Sequence, residues 1–243
     1  MKILQFVILL ATITEIKMDI CLPGPFHKRI SSKATVEYAA CQAYSENTCC
    51  TPEFANEFNR TRLRLLLGFH WGHCKDISKQ CDEYLVRASC TLNCEPRLIR
   101  WQSKVSDLRI RNVPICGDYC DAWFEACKNE QTCVEEWLDD FEFANSTYSC
   151  PKNSTCRTFE QWYGNGTGLC NKLFGQNLRY VDPKCPCSRM DGPIPVNVNE
   201  NSTCTKNSVT PTQTMTSTNN SVTTIQWSSN SIYLTFAFIV LIN

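Results

Sequence analysis

The sequence predicts an α-rich, loop-rich and disulfide-dense globular fold, with short helices, long loops and a few short strands. Three observations carry this expectation. Cysteine is over-represented, with 18 residues, all from Cys21 onward. The clearest helical signals place cysteines four and seven apart, on one helix face. Runs with strand-like alternation are few.

An even cysteine number in a chain of 243 residues reads as a disulfide framework formed in an oxidising compartment. Zinc knuckles are the competing explanation, but they need close Cys/His pairs. The close pairs here are Cys49-Cys50, Cys90/Cys94, Cys116/Cys120 and Cys185/Cys187. No C-x-x-C occurs, and there are only three His. No metal and no cofactor is therefore expected.

Both chain ends point to the secretory pathway. After Met1-Lys2, Ile3 to Ile13 is a mostly apolar run of 11 residues, the length of a signal-peptide core and too short to span a bilayer. Residues 1–18 are read as a signal peptide. Residues 19–195 are expected to form the folded domain. In the stretch 201–231, 21 of 31 positions are Ser, Thr or Asn, too little apolar surface to offset chain entropy. The stalk is placed at 196–221. Ile232 to Ile242 is a second apolar run of 11 residues, half the length of a membrane span. Small residues Asn219-Asn220-Ser221, a polar spacer and this tail match the layout of a GPI attachment signal, with 222–243 as the propeptide. Six N-x-[ST] sequons, at Asn59, Asn145, Asn153, Asn165, Asn201 and Asn219, imply a glycosylated surface. The expected location is the extracellular face of the plasma membrane.

Charge and motifs exclude other functions. Lys+Arg and Asp+Glu are both 24, so no basic field exists to attract nucleic acid. No G-x-S-x-G, H-E-x-x-H, phosphate loop or dinucleotide fingerprint occurs. His70 and His73 sit in Phe-His-Trp-Gly-His-Cys74, directly before a cysteine expected to be bridged. The chain is not expected to be an enzyme. Aromatics are plentiful instead, with six Trp, eight Tyr and twelve Phe; most should be core, but a crosslinked fold can also line a rigid slot for a planar ligand.

Within the folded domain, Pro114 precedes Asp118 to Lys128, where acids lead and Lys closes, as suits a helix dipole. Cys116, Cys120 and Cys127 fall near one face of this helix, so it can be stapled to several neighbours. Cys74/Cys81 and Cys90/Cys94 repeat those spacings.

Three stretches carry a family resemblance: Tyr44-Ser-Glu-Asn-Thr-Cys-Cys50, Val113-Pro-Ile-Cys-Gly-Asp-Tyr-Cys-Asp-Ala-Trp-Phe-Glu-Ala-Cys127 and Tyr163-Gly-Asn-Gly-Thr-Gly-Leu-Cys170. The chain resembles the folate receptor and riboflavin-binding protein family from about Cys21 to Met190. It leans to the riboflavin-binding branch through Cys-Asp-Ala-Trp-Phe-Glu-Ala-Cys-Lys, Asn165-Gly-Thr and the Cys185/Cys187 pair. The terminal anchor signal is more like the folate receptors. The resemblance implies the bridges Cys21–Cys49, Cys41–Cys90, Cys50–Cys94, Cys74–Cys156, Cys81–Cys127, Cys116–Cys187, Cys120–Cys170 and Cys133–Cys150, and leaves Cys185 with Cys204. Spacing alone does not choose among the connectivities.

The resemblance also implies a ligand set. Folate receptors hold the pterin with an Asp at the position of Arg62, and Arg has no acceptor to take that role. Arg109 matches an Arg used near the ligand. Trp137 matches the first Trp of a W-x-x-x-W-x-W run, with Phe141 and Phe143 in place of the others. In the riboflavin branch a Tyr and a Trp sandwich the flavin ring; these positions fall on His70 and Phe174. Trp71, beside His70, joins the candidates. The implied partner is a planar heterocyclic vitamin, riboflavin in preference to folate, captured by a GPI-anchored receptor. The alternative is a protein partner met by a repurposed pocket, as in a gamete-recognition member of the family.

Overall fold

The computed structural model describes residues 20–60, 69–200 and 204, with the side chains of 57–60 excepted. The signal segment, the side chain of Asn59, Arg62, Asn201, the attachment residues Asn219, Asn220 and Ser221, and the apolar tail lie outside the described residues.

Among the described residues, five α-helices alternate with very short strands. The strands β1 (His27–Ser32) and β2 (Thr48–Cys50) precede α1 (Pro52–Arg60) and α2 (Lys79–Cys94). Next come β3 (Gln102–Ser103), β4 (Ser106–Ile110), β5 (Val113–Cys116), α3 (Gly117–Cys127) and β6 (Gln131–Thr132). Then follow β7 (Glu142–Ala144), β8 (Thr147–Ser149), β9 (Arg157–Thr158), α4 (Phe159–Tyr163), α5 (Gly166–Lys172) and β10 (Leu178–Val181). Among the described residues the strands pair only two by two: β1 with β2, β3 with β4, β6 with β9 and β7 with β8 antiparallel, and β5 with β10 parallel.

Local chemistry explains the helix ends. The Ser78 hydroxyl accepts the Cys81 N–H and starts α2, which stops before Pro96. Its buried side is Cys81, Leu85, Ala88 and Thr91 with Cys90 and Cys94, the spacing of one helix face. Thr158 and Gln161 form a reciprocal capping box on α4, which Gly164 ends at φ 73°. Gly117 opens α3 because a Cβ there would collide with the Tyr180 ring.

The predicted helix over 118–128 appears as α3, one residue earlier at each end. It is preceded by a fully buried strand, β5, that the pattern did not signal. Four residues containing Pro114 are too short to display alternation. The strand persists because β10 lies along it and the Ser188 backbone brackets it, through Cys116 N–H to Ser188 O and Ser188 N–H to Pro114 O, both at 2.9 Å.

Nine disulfides use every cysteine: the eight pairs that the resemblance implies, and Cys185–Cys204, the pair left over. Cys116, Cys120 and Cys127 bridge to Cys187, Cys170 and Cys81, so α3 is tied to the β10 tail, to α5 and to α2. Trp123, fully buried on α3, packs among Tyr84, Tyr119 and Phe174.

Packing continues beyond residue 195, the domain end expected from sequence. Val198, past that end, is 1 % exposed, as is Ile194 just before it. The buried Glu95 carboxylate holds this strap, accepting from Ile194 N–H at 2.7 Å and Arg97 N–H at 2.8 Å. Those bonds and the nearby Arg97 guanidinium satisfy a charge that would otherwise be costly to bury.

Three sequon side chains are described, and all are exposed. Asn145 lies in the β7–β8 turn at φ 52°, and Asn153 in a loop. Asn165 caps α5 by accepting Gly168 N–H at 2.9 Å through Oδ1, which leaves its Nδ2 available for a glycan. Among the described residues no helix is long and apolar enough to cross a membrane.

Candidate functional site: an aromatic cluster with an acidic loop

Two segments build the cluster. The first, residues 69–73, leads into the Cys74–Cys156 bridge. The second is the loop between Cys133 and Cys150, closed on itself by their disulfide and carrying the β7–β8 hairpin. Cys74 joins Cys133 and Cys150 in a group whose sulfur atoms lie within 4.8 Å of one another, so the two bridges pin both segments at one place. All three sulfurs are in disulfides and hold no free electron pair of a thiolate for a metal.

Phe69 is the hub. Its ring lies 5.3 Å from Phe141, 5.6 Å from His73 and from Tyr148, and 5.8 Å from Trp137. Most of these contacts are edge-to-face, the arrangement aromatic quadrupoles favour. Trp137 is 4 % exposed and donates its indole N–H to the Thr132 hydroxyl at 3.1 Å. Phe174 stands behind it, between Trp123 and Trp137.

The sequence-predicted residues are not all in one wall. Trp137 and Phe141 touch each other and Phe69, and His70 reaches them through His73, 4.1 Å away. Phe174 meets the cluster only from the back, through Trp137. Trp71 is turned to α2, donating to Asp82 at 3.2 Å, which suits a structural anchor. Phe143 is 46 % exposed and packs on Tyr148, 4.8 Å away, at the hairpin rim. Arg109 projects from β4 to the loop and pairs with both carboxylate oxygens of Asp139. Arg62 is outside the described residues.

Phe69, His73, Tyr148 and Asp139 were not among the sequence candidates. The Phe-His-Trp-Gly-His run was visible, but its aromatic partners lie far along the chain.

His73 has an unusual environment. Its Nε2 is buried without a hydrogen-bond partner among the described residues. Burial, and then the neighbouring His70, push its pKa down to about 4. A folded-state pKa below the unfolded 6.5 means that the unfolded chain binds the proton first. Stability from neutral His73 is therefore present above pH 6.5 and is lost as pH falls from 6.5 towards 4. Discounted for partial exposure, the loss is about 1–2 kcal/mol. Thermal melts between pH 7.5 and 4.5 should show this slope, and His73→Phe should flatten it; an unchanged slope in that variant would assign the titration elsewhere.

The loop is acidic. Glu135, Glu136, Asp139, Asp140 and Glu142 fall within it, and no Lys or Arg occurs between residues 129 and 151. Burial, reinforced by Asp139 and Asp140, raises the Glu136 pKa. The Arg109 hydrogen bonds hold the Asp139 carboxyl below its usual range.

A model of the Folate receptor family matches residues 20–189. The chain belongs to the folate receptor family. It is 31% identical to the riboflavin-binding protein of Gallus gallus over 171 residues, covering 70% of this chain and 71% of that one. The riboflavin-binding protein of Dromaius novaehollandiae is 30% identical over the same span and shares. Human folate receptor gamma is 28% identical over 166 residues, 67% of each chain. These relatives are named as binding proteins and receptors, and this family member is a binding protein of that kind rather than an enzyme.

Proposed function

We propose that this family member is a cell-surface receptor that captures riboflavin in preference to folate. A vitamin ligand is supported by the names of the relatives, riboflavin-binding proteins and folate receptors. The observation that carries the choice between them is the Arg109–Asp139 pair. Arg109 is the cation that the resemblance sets near a ligand, and here an acid of the neighbouring loop already neutralises it. The loop around Asp139 adds four more carboxylates and no cation. Folate carries carboxylates of its own and would meet like charge there. Riboflavin is uncharged and asks only for flat apolar faces and a few hydrogen bonds. Phe143 and Tyr148 at the hairpin rim offer such faces, and Phe69 links them to the buried Trp137 and Phe141. Capture at the surface would follow from a GPI anchor at Asn219-Asn220-Ser221, which release by a phosphatidylinositol-specific phospholipase tests directly.

The ligand is tested with the full-length glycosylated protein. Riboflavin fluorescence should be quenched on binding, with a dissociation constant well below ~10 µM, about −7 kcal/mol. Folic acid should bind at least tenfold more weakly. Asp139→Lys removes the carboxylate beside Arg109 and adds a second cation, so folic acid affinity should rise about tenfold while riboflavin changes less than threefold. Tighter binding of folic acid by the wild-type protein would overturn the assignment. Failure of both compounds to bind would overturn the vitamin reading itself and turn attention to a protein partner.

A further inference from the structure

A surface groove of about 450 Å³ shares no residue with the aromatic cluster and has the opposite charge. Arg100, Lys104, Arg111 and Arg179 line it, and Glu200 is the one acid among its lining residues. Elsewhere on the fold, cations such as Arg109, Lys172 and Arg189 are paired with Asp139, Glu135 and Asp118. Lys104, Arg111 and Arg179 have no ion pair and donate no side-chain hydrogen bond among the described residues. Arg100 is the exception, with Nη1 3.4 Å from the Val198 carbonyl.

The backbone beneath these cations is held firmly. Arg111 N–H bonds the Trp101 carbonyl and Asn112 N–H the Gln176 carbonyl, each at 2.8 Å. Arg179 sits in β10, in register with Pro114 of β5. The Gln102 side chain bonds the Asp107 carbonyl at 2.8 Å and pins the β3–β4 hairpin that presents Lys104. Like charges are thus kept together by bonds that do not depend on them. Three unpaired cations on a fixed frame repel one another, and that cost is relieved by a bound anion. Two are Arg, whose planar fork matches sulfate and phosphate oxygens two at a time.

We propose that this groove binds a sulfated polysaccharide chain. Nine disulfides place the fold in an oxidising, extracellular setting, away from nucleic acid and from the anionic cytoplasmic leaflet. The polyanions met there are sulfated glycans. A surface groove rather than an enclosed cavity suits a chain that enters and leaves it.

The test uses the full-length glycosylated protein and heparin oligosaccharides of defined length. Wild-type protein should be retained on immobilised heparin at about 0.15 M salt and released as salt screens the contacts. Lys104→Ala/Arg111→Ala/Arg179→Ala should lower affinity at least tenfold and flatten the salt dependence, with riboflavin quenching and thermal midpoint unchanged. Arg111→Gln/Arg179→Gln keeps side-chain bulk and should lose at least threefold, which guards against a folding defect in the triple variant. Neutralising Lys152 and Lys184, which lie outside the groove, should have no effect. The assignment is overturned by any of three results: no retention of wild-type protein, equal retention of the groove variants, or equal competition by desulfated heparin or poly-glutamate. Equal competition by poly-glutamate would point to an acidic polypeptide. Riboflavin binding is read separately, so either assignment can fail without the other.

Discussion

Trp137→Ala should remove riboflavin quenching and lower the stability of the fold by about 3–5 kcal/mol, the range for deleting a buried Trp. The site and the core share this residue. Its ring is 4 % exposed and touches Phe69, Phe141, Phe159 and Phe174, so truncation leaves a hole among four aromatics. It also strips the Thr132 hydroxyl of its indole donor. Trp137→Phe keeps most of the ring area and loses that one hydrogen bond, about 0.5–1.5 kcal/mol. The pair of variants therefore separates packing from polar anchoring. Urea unfolding and flavin titration on both are the measurement. A Trp137→Ala protein with wild-type stability would mean that the loop between Cys133 and Cys150 does not pack Trp137 against these four rings.

This dual role explains why parts of the fold were legible in sequence and parts were not. The cysteine face of α3 follows from local spacing, because Cys116, Cys120 and Cys127 recur near the helical period. The capping of α4 and α5 is equally local, although the sequence reading placed no helix there. The disulfide partners are not local, and only the family resemblance chose among the connectivities. Strands of two to six residues in isolated pairs carry no periodic signal; β5 and β10 are recognisable only once each lies against the other.

The candidate site divides in the same way. Trp137 and Phe141 stand out because they match a motif, and the structure brings them together. Phe174, at a flavin-sandwiching position by the same logic, stands behind Trp137 instead. Trp71 is occupied by Asp82. Phe69 and Tyr148, which bind the two segments into one cluster, match no motif, because their significance comes from a contact across the fold. Asp139 was hidden for a related reason. An acid in an acidic loop is unremarkable until the structure sets it against Arg109, and it then changes which ligand charge the site can accept.

Removing the bridge between α3 and α5, with Cys120→Ala/Cys170→Ala, should be the most damaging of the changes to the scaffold. Both cysteines are fully buried, and the bridge spans 50 residues. Loop-closure entropy for that span is about 4 kcal/mol, against a usual domain stability of about 5–15 kcal/mol. The secreted yield should fall sharply, and the urea midpoint of what is secreted should drop. The bridge Cys133–Cys150 makes an informative contrast. It spans 17 residues, so the same entropy is nearer 3 kcal/mol, but its loop carries Trp137, Phe141 and Asp139. Cys133→Ala/Cys150→Ala should therefore cost less stability and more ligand affinity than the α3–α5 variant. If the two variants lost stability and flavin binding in the same proportion, the site would have no loop of its own to shape it. If their order reversed, the Cys133–Cys150 loop, and not the α3–α5 contact, would be the part of the fold on which the rest depends.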